Sequence, residues 1–356
     1  MDNYRLNFVV ERNVPFIAGL LEPYANVTYL AADEFTPASV KDADDLIVRT
    51  RTRCDEALLA KSRCRFIGTA TIGTDHIDAE WCDAHGITVI NAPGCNAPAV
   101  AQYVFASIMQ LANRPVSQYT IGIVGVGHVG SIVERWARGL GMNVLVCDPP
   151  RQRAEDGEKW STLSEIAEKA DIITFHTPLT REGEDATYHI ADAAFFSSLR
   201  RAPIIINSAR GPIVDTPALI DALDNGLVSE AVIDCWENEP EISLDLLERA
   251  AIATPHIAGY SHDGKVRATQ MILDAITTFF YLPRVNTTAA TPKGIARIVR
   301  PLDIVESYNH IADTVKLKND PASFEDLRNN YRYRSDISEP IASRIINIRK
   351  SAVSRS

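Results

Sequence analysis

Three residues in this sequence have the types and positions to do chemistry together. Arg210 follows the run "PIIINSA", Glu239 lies in "DCWENEP", and His256 lies in "TPHIAGY". Each comes just after an apolar stretch that reads as a buried parallel strand. All three are therefore expected at the C-terminal strand edge, where open α/β sheets take their ligands. A guanidinium is a planar fork that suits a carboxylate held by two bonds. Gly211 is expected to let the backbone turn while that fork points into a cleft. A histidine with a carboxylate partner is a general acid/base whose charged form is stabilised, so the pKa of His256 is expected to rise. Taken singly, each has a plainer reading: a strand-capping arginine, a solvated loop acid, a histidine satisfied within the core. The plain account must then hold three times over.

The same edge carries a second signal. "GIVGVGHVG" places Gly125, Gly127 and Gly130 in the G-x-G-x-x-G spacing, after a strand pattern and at the start of a helix pattern. The first glycine permits the tight turn, the second a close approach of pyrophosphate, the third the packing of helix on strand. The N–H groups at the helix start, around His128 and Val129, present partial positive charge to phosphate. Asp148 ends the next strand pattern, 18 residues after Gly130. A carboxylate there accepts from ribose hydroxyls and repels a 2′-phosphate, so NAD is expected over NADP. The following "PPRQR" supplies arginines that favour the opposite choice.

These signals need elements to position them. "NFVV", "VTYLA", "DLIVRT", "CRFIGTA" and "ITVINAP" read as strands, separated by the helix patterns "PFIAGLLEPY", "CDEALLA" and "DHIDAEWCDAHG". A long apolar helix is expected over 98–113. A second strand–helix alternation follows, with strands at 121–125, 143–148, 171–177, 203–209, 230–236 and 251–256. Another long helix is expected after residue 260. The fold class is α/β, with two Rossmann-like or flavodoxin-like domains whose parallel sheets flank a cleft. The expected boundaries are 1–97 with 260–282 for a substrate domain, 98–259 for a dinucleotide domain, and 283–356 for a small C-terminal module.

Bulk properties exclude other classes. The chain of 356 residues carries a formal net charge of −10, which disfavours a nucleic-acid partner. No apolar run approaches a membrane span and no basic-then-apolar leader opens the sequence, so a cytoplasmic protein without a membrane partner is expected. The six cysteines form no C-x-x-C pair, and no His, Cys or carboxylate cluster shows ligand spacing, so no metal is expected. His76 reads as local turn structure. His176 is expected either under the nicotinamide or satisfied in the core.

Together, "GIVGVGHVG", "FHTPLT", "INSARGPIVD", "VIDCWENEP" and "TPHIAG" resemble the D-isomer-specific 2-hydroxyacid dehydrogenases over roughly residues 5–280. The resemblance implies an NAD-dependent oxidation of a 2-hydroxy acid. Arg210 would grip the C1 carboxylate and polarise the C2 oxygen, His256 would take the C2 hydroxyl proton, and Glu239 would orient His256. Asp148, Thr177, Ser208, Ala209, Arg210, Asp234 and Gly259 would contact the cofactor. Thr50, Thr71 and Tyr260 would contact the substrate, with a threonine at 50 where the family pattern has serine. Removing hydride from a carbon bearing a hydroxyl needs a base and a nearby cation, which agrees.

"GTATIGTDHID", "NAPGCNA", "CDPPR", "TPHIAGYSHDGKVR" and "FEDLRNNYRYR" resemble one branch of that family, distinguished by a C-terminal extension. That likeness implies a phosphorylated 2-hydroxy acid as substrate, a place in vitamin B6 synthesis, and a homodimer formed through the extension. For the phosphate, Arg49, Arg51 and Arg53 of "VRTRTR" would converge if the segment were extended. Their alternative is a basic loop balanced by Asp44, Asp45, Asp55 and Glu56. Arg328, Arg332 and Arg334 of the tail are expected to approach a partner subunit. Competing functions are a dehydrogenase of another 2-hydroxy acid, such as phosphoglycerate or glycerate, and a non-catalytic NAD-sensing co-regulator.

Overall fold

The computed structural model describes residues 5–155, 160–287, 304 and 307–337. The chain forms two compact units, Met1–Asn96 with His262–Pro292, and Ala97–Ser261 with Lys293–Ser356. From residue 283 onward, the described residues 283–287 fall in the first unit and 304 and 307–337 in the second.

The first unit holds β1 (Leu6–Glu11), β2 (Ala25–Leu30), β3 (Asp45–Val48), β4 (Phe66–Thr69) and β5 (Thr88–Ile90), in the order β2-β1-β3-β4-β5. All pairings are parallel. Strands β3 and β4 are buried along their whole length, which is why they read as continuous apolar runs. Helix His262–Phe279 lays Ala268, Ile272, Leu273 and Ile276 into a core with Phe8, Val10 and Phe66.

The helix expected over "PFIAGLLEPY" does not form. That stretch is a series of turns, with Phe16 at φ 60° and Gly19 at φ 84°. The Glu22 carboxylate stabilises the turns by accepting from the Gly19 and Leu21 amides at 3.0 and 3.1 Å and from the Tyr29 hydroxyl at 2.8 Å. Apolar spacing alone does not register a side chain that closes a turn on itself.

The second unit holds β6 (Thr120–Val124), β7 (Asn143–Cys147), β8 (Ile172–Phe175), β9 (Ile204–Asn207), β10 (Glu230–Ile233) and β11 (Ile252–Ala253). Their order is β11-β10-β9-β8-β6-β7, again all parallel. The chain leaves β6 for β7 on one side and returns to β8 on the other. The end of β6 is therefore a topological switch point, the usual place for a ligand in such sheets. Helices Ala97–Leu111 and His128–Gly139 pack on one face through Tyr103, Phe105, Val133 and Trp136. Phe175, Phe196, Leu219 and Leu246 belong to the core on the other face.

Part of the tail completes this unit. Helix His310–Asn319 covers the β11 edge, where the Thr314 hydroxyl accepts the Ala253 amide at 3.1 Å. An open strand edge is thereby closed by the protein's own chain. Among the described residues no helix is long and apolar enough to cross a membrane. All six cysteines are buried and unpaired.

Candidate active site

Strands β9, β10 and β11 lie side by side, and Arg210, Glu239 and His256 follow them in turn. The buried amide of Asn207, the last residue of β9, shapes the first turn. Its Nδ2 donates to the carbonyls of Arg210 at 3.0 Å and Cys235 at 3.3 Å, and its Oδ1 accepts from Ala209 N at 3.2 Å. Arg210 has extended backbone, at φ −145°, and its Nη1 donates to the Ala209 carbonyl at 2.8 Å. Gly211 does not serve the conformational purpose expected of it. A methyl group on it would lie 1.8 Å from the Trp236 carbonyl oxygen, so glycine is needed for close approach of the β9 and β10 turns.

The expected contact of His256 with a carboxylate is present. His256 Nδ1 and Glu239 Oε2 are 2.8 Å apart, while Glu239 Oε1 accepts the Trp236 amide at 2.8 Å. With Nδ1 donating to the carboxylate, Nε2 is the nitrogen left to exchange a proton. Both side chains are largely enclosed, at 27% and 18% exposure. Burial pushes the His256 pKa down, but the Glu239 carboxylate, through its charge and hydrogen bond, outweighs burial and holds it well above 6.5. Burial likewise pushes Glu239 up, and the His256 charge, its hydrogen bonds and Arg328 bring it below the usual value. His256 sits at φ 55°, a left-handed conformation costing about 1–3 kcal/mol, so its neighbours must hold it there.

Asp234 does much of that holding. Its buried carboxylate accepts the Thr254 hydroxyl at 2.6 Å and the Ile257 and Ala258 amides at 2.8 and 2.9 Å. Burial raises its pKa, against the opposing pull of His256 and these donors. Asp234, expected at the cofactor, is thus first a brace for the loop carrying His256, Gly259 and Tyr260. The tail braces the same loop from outside. Arg334 Nη1 donates to the carbonyls of Ile257 at 3.2 Å and Tyr260 at 3.0 Å, and Nη2 donates to that of Ala258. Arg328 Nε donates to the Tyr260 hydroxyl at 3.2 Å. The tail arginines Arg328 and Arg334, expected to approach a partner subunit, engage their own chain.

The dinucleotide loop has the predicted construction. Gly125 has φ 87°, and a methyl group on Gly130 would meet the Gly125 carbonyl oxygen at 2.0 Å. Nothing lies within 4 Å of where a Gly127 methyl would stand, so the helix start is open there. His128 and Val129 begin helix His128–Gly139. Asp148 accepts the Val126 amide of this loop at 2.8 Å and caps the next helix through Arg151 N at 3.1 Å. Arg151, the feature that favoured NADP, is paired with Glu155 through Nε at 2.8 Å. Thr177 Oγ1 and Ser208 Oγ, after β8 and β9, are buried without a hydrogen-bond partner among the described residues. Two orphaned hydroxyls beside an open helix start fit a polar dinucleotide. His176 is neutral, pushed down by burial to about 3, and its Nε2 meets the Thr174 hydroxyl at 3.0 Å, which is the core-satisfied reading.

The substrate candidates of the first unit lie after β3 and β4. Thr50 is exposed. The Thr71 hydroxyl meets that of Thr69 at 2.7 Å and donates to the Gly73 carbonyl at 2.9 Å. Arg49, Arg51 and Arg53 do not form an extended, one-sided row. The strand ends at Val48, and the Thr52 amide bonds the Arg49 carbonyl at 3.2 Å in a turn. Buried Glu11 fixes that turn by accepting Arg49 N and the Thr52 hydroxyl, each at 2.8 Å. Arg53 is exposed and paired with Asp55 at 2.7 Å. Arg49 keeps a buried Nε with no partner among the described residues. His76 meets the Thr69 hydroxyl at 3.1 Å and is local structure, as read.

One group of donors was not visible in the spacing. Ligand atoms of Cys235, Glu239 and His256 lie within 4.8 Å of one another. Glu239 and His256 already bond each other within this cluster.

Comparisons with known proteins give the chain's relatives. Residues 99–258 match the family model described as D-isomer specific 2-hydroxyacid dehydrogenase, NAD binding domain. The chain is 46% identical over 338 residues to erythronate-4-phosphate dehydrogenase of Bacteroides thetaiotaomicron, covering 93% of this chain and 97% of that one. It is 38% identical over 348 residues to the enzyme of that name in Escherichia coli, covering 93% and 92%. Among solved structures, D-lactate dehydrogenase of Aquifex aeolicus with NAD and lactic acid superposes with a TM-score of 0.66 at 26% identity, over 77% of this chain and 95% of that one.

Proposed function

The chain belongs to the D-isomer-specific 2-hydroxyacid dehydrogenase family, with erythronate-4-phosphate dehydrogenases among its relatives, and we propose that it oxidises 4-phospho-D-erythronate to 2-oxo-3-hydroxy-4-phosphobutanoate with NAD. The observation that carries this reading is the 2.8 Å pair of Glu239 and His256, with Glu239 anchored a second time on the Trp236 amide. An imidazole so fixed can accept a proton only through Nε2, and the carboxylate steadies the imidazolium that results.

Arg210 binds the C1 carboxylate as a fork and draws charge toward the C2 oxygen as the carbonyl develops. His256 takes the C2 hydroxyl proton. Bound NAD supplies the acceptor for the hydride leaving C2. The loop Gly125–Gly130, with the amides of His128 and Val129, holds the pyrophosphate, and Asp148 the adenosine ribose. Thr177, Ser208, Ala209, Asp234 and Gly259 line the remaining cofactor contacts, the orphaned hydroxyls of Thr177 and Ser208 supporting two of them. Thr50, Thr71 and Tyr260 contact the substrate. Arg49 is the first candidate for the phosphate, since its Nε is buried and unpartnered among the described residues. The C-terminal segment forms a homodimer in a cytoplasmic enzyme of vitamin B6 synthesis, a setting that six unpaired thiols support.

The test is a substrate screen by NADH absorbance with 4-phospho-D-erythronate, 3-phosphoglycerate and glycerate. The expected result is a kcat/KM for 4-phospho-D-erythronate at least tenfold above either other acid. Preference for another acid would replace the substrate. Tight NADH binding with no turnover of any acid would favour the NAD-sensing reading.

A further inference from the structure

We propose that Arg328, from the C-terminal segment, is a positioning residue for the acid/base pair of its own chain, acting on His256 through the shared Glu239 carboxylate. The proposal rests on the reaction assigned above to His256 and Glu239, and extends it to a part of the chain that carries none of the family's site motifs.

Glu239 Oε2, the oxygen that bonds His256 Nδ1, lies 3.9 Å from Arg328 Nη1. The other oxygen, Oε1, is occupied by the Trp236 amide. One carboxylate oxygen therefore faces two cations whenever His256 is protonated. Arg328 is not free to leave. Its Nε donates to Tyr260, on the loop just after His256, and its Nη1 lies 3.4 Å from Glu325 Oε1. Its helix, Phe324–Asn329, is pinned to the second unit by Phe324, which is buried in the same core as Leu317 and Leu246. The Arg328 side chain is 21% exposed, so solvent screens it only in part.

The charged and titratable groups facing the pair are these: Cys235 and Asp234 from the β10 turn, Tyr260 from the His256 loop, and Glu325 with Arg328 from the tail helix. Cys235 is a buried thiol pushed up by burial, and the Tyr260 hydroxyl accepts from Arg328 Nε. Asp234 is held by the Ile257 and Ala258 amides. Glu325 and Arg328 are therefore the pair whose balance can be altered without touching the reacting groups. The Arg328 charge draws on Glu239 and repels the imidazolium. Both effects favour neutral His256, the form that accepts the substrate proton.

The test compares full-length wild type with Arg328→Gln, Arg328→Lys and Glu325→Gln, reading the acidic limb of kcat/KM against pH in the oxidation direction. The expected results are a limb raised by roughly half to one pH unit in Arg328→Gln, retained in Arg328→Lys, and lowered in Glu325→Gln. A merely structural link, or a phosphate ligand, would raise KM or lower stability and leave the limb in place. An unmoved limb in Arg328→Gln overturns the proposal. If that variant does not fold, an unmoved limb in Glu325→Gln does so. The same shift is read without turnover by NMR titration of the His256 imidazole, identified by the signal lost in His256→Asn. That readout separates failure of this proposal from failure of the proposed reaction.

Discussion

Gly211 lies so close to Trp236 that a methyl group on its α-carbon would stand 1.8 Å from the Trp236 carbonyl oxygen and 2.5 Å from the Glu237 nitrogen. Those neighbours are backbone, and the Trp236 amide anchors Glu239. The turn that presents Arg210 and the turn that anchors Glu239 are therefore packed as one piece. Gly211→Ala is expected to cost about 1–3 kcal/mol of stability, measured by urea unfolding, and to lower kcat/KM at least tenfold as Arg210 and Glu239 move apart. Wild-type values for both would show that the two turns yield independently.

Glu239→Gln tests the electrostatic half of the pair. In the proposed reaction oxidation requires neutral His256, and its raised pKa is then expected to place the acidic limb of kcat/KM above 6.5. Removing the carboxylate charge lowers that pKa, so the limb moves to lower pH. Loss of orientation and charge lowers the maximal rate by roughly 10²–10⁴. In the reverse direction, which needs the imidazolium, the basic limb moves down as well. A limb that stays in place would mean that Glu239 does not set the His256 proton affinity.

Thr177→Val and Ser208→Ala separate a ligand role from a structural one. Both hydroxyls are buried without partners among the described residues, so removing them costs the free protein little, within about 1 kcal/mol of wild-type stability. NAD affinity, measured by calorimetry, should fall several-fold in each variant. Marked destabilisation without NAD would show that these hydroxyls have partners inside the protein.

Asp148→Asn removes the charge and leaves one acceptor oxygen, which can keep the Val126 amide at the expense of the helix cap on Arg151 N. The preference for NAD over NADP, read as the ratio of kcat/KM values, is expected to fall roughly tenfold, chiefly by improved use of NADP. An unchanged ratio would place the discrimination elsewhere, for example at Arg151.

Much of this site was legible because strand ends were legible. The runs before Arg210, Glu239 and His256 are short, apolar and β-branched, and their ends fall where the chemistry stands. The glycine loop was legible for the same reason, since "GIVGVGHVG" joins a strand to a helix. What the sequence concealed were the groups that hold the site. Asn207 read as an ordinary strand-end residue and Asp234 as a cofactor contact, and only the fold shows that their side chains bind backbone from neighbouring turns. Arg328 and Arg334 lie some 70 residues beyond His256, and nothing local ties them to it. The helix that does not form at "PFIAGLLEPY" and the arginine row that gives way to the alternative loop at "VRTRTR" share one cause. In each, a glutamate side chain, Glu22 or Glu11, closes a turn that periodicity cannot register.

The central claim is that His256, held by Glu239, exchanges the substrate proton in an NAD-dependent oxidation. Its most direct test is the initial rate of NADH formation from 4-phospho-D-erythronate in wild type and in His256→Asn, with NAD binding checked in both. Turnover in wild type, a loss of at least roughly 10² in the variant, and unchanged NAD affinity are predicted. Comparable rates in the two proteins would contradict the account.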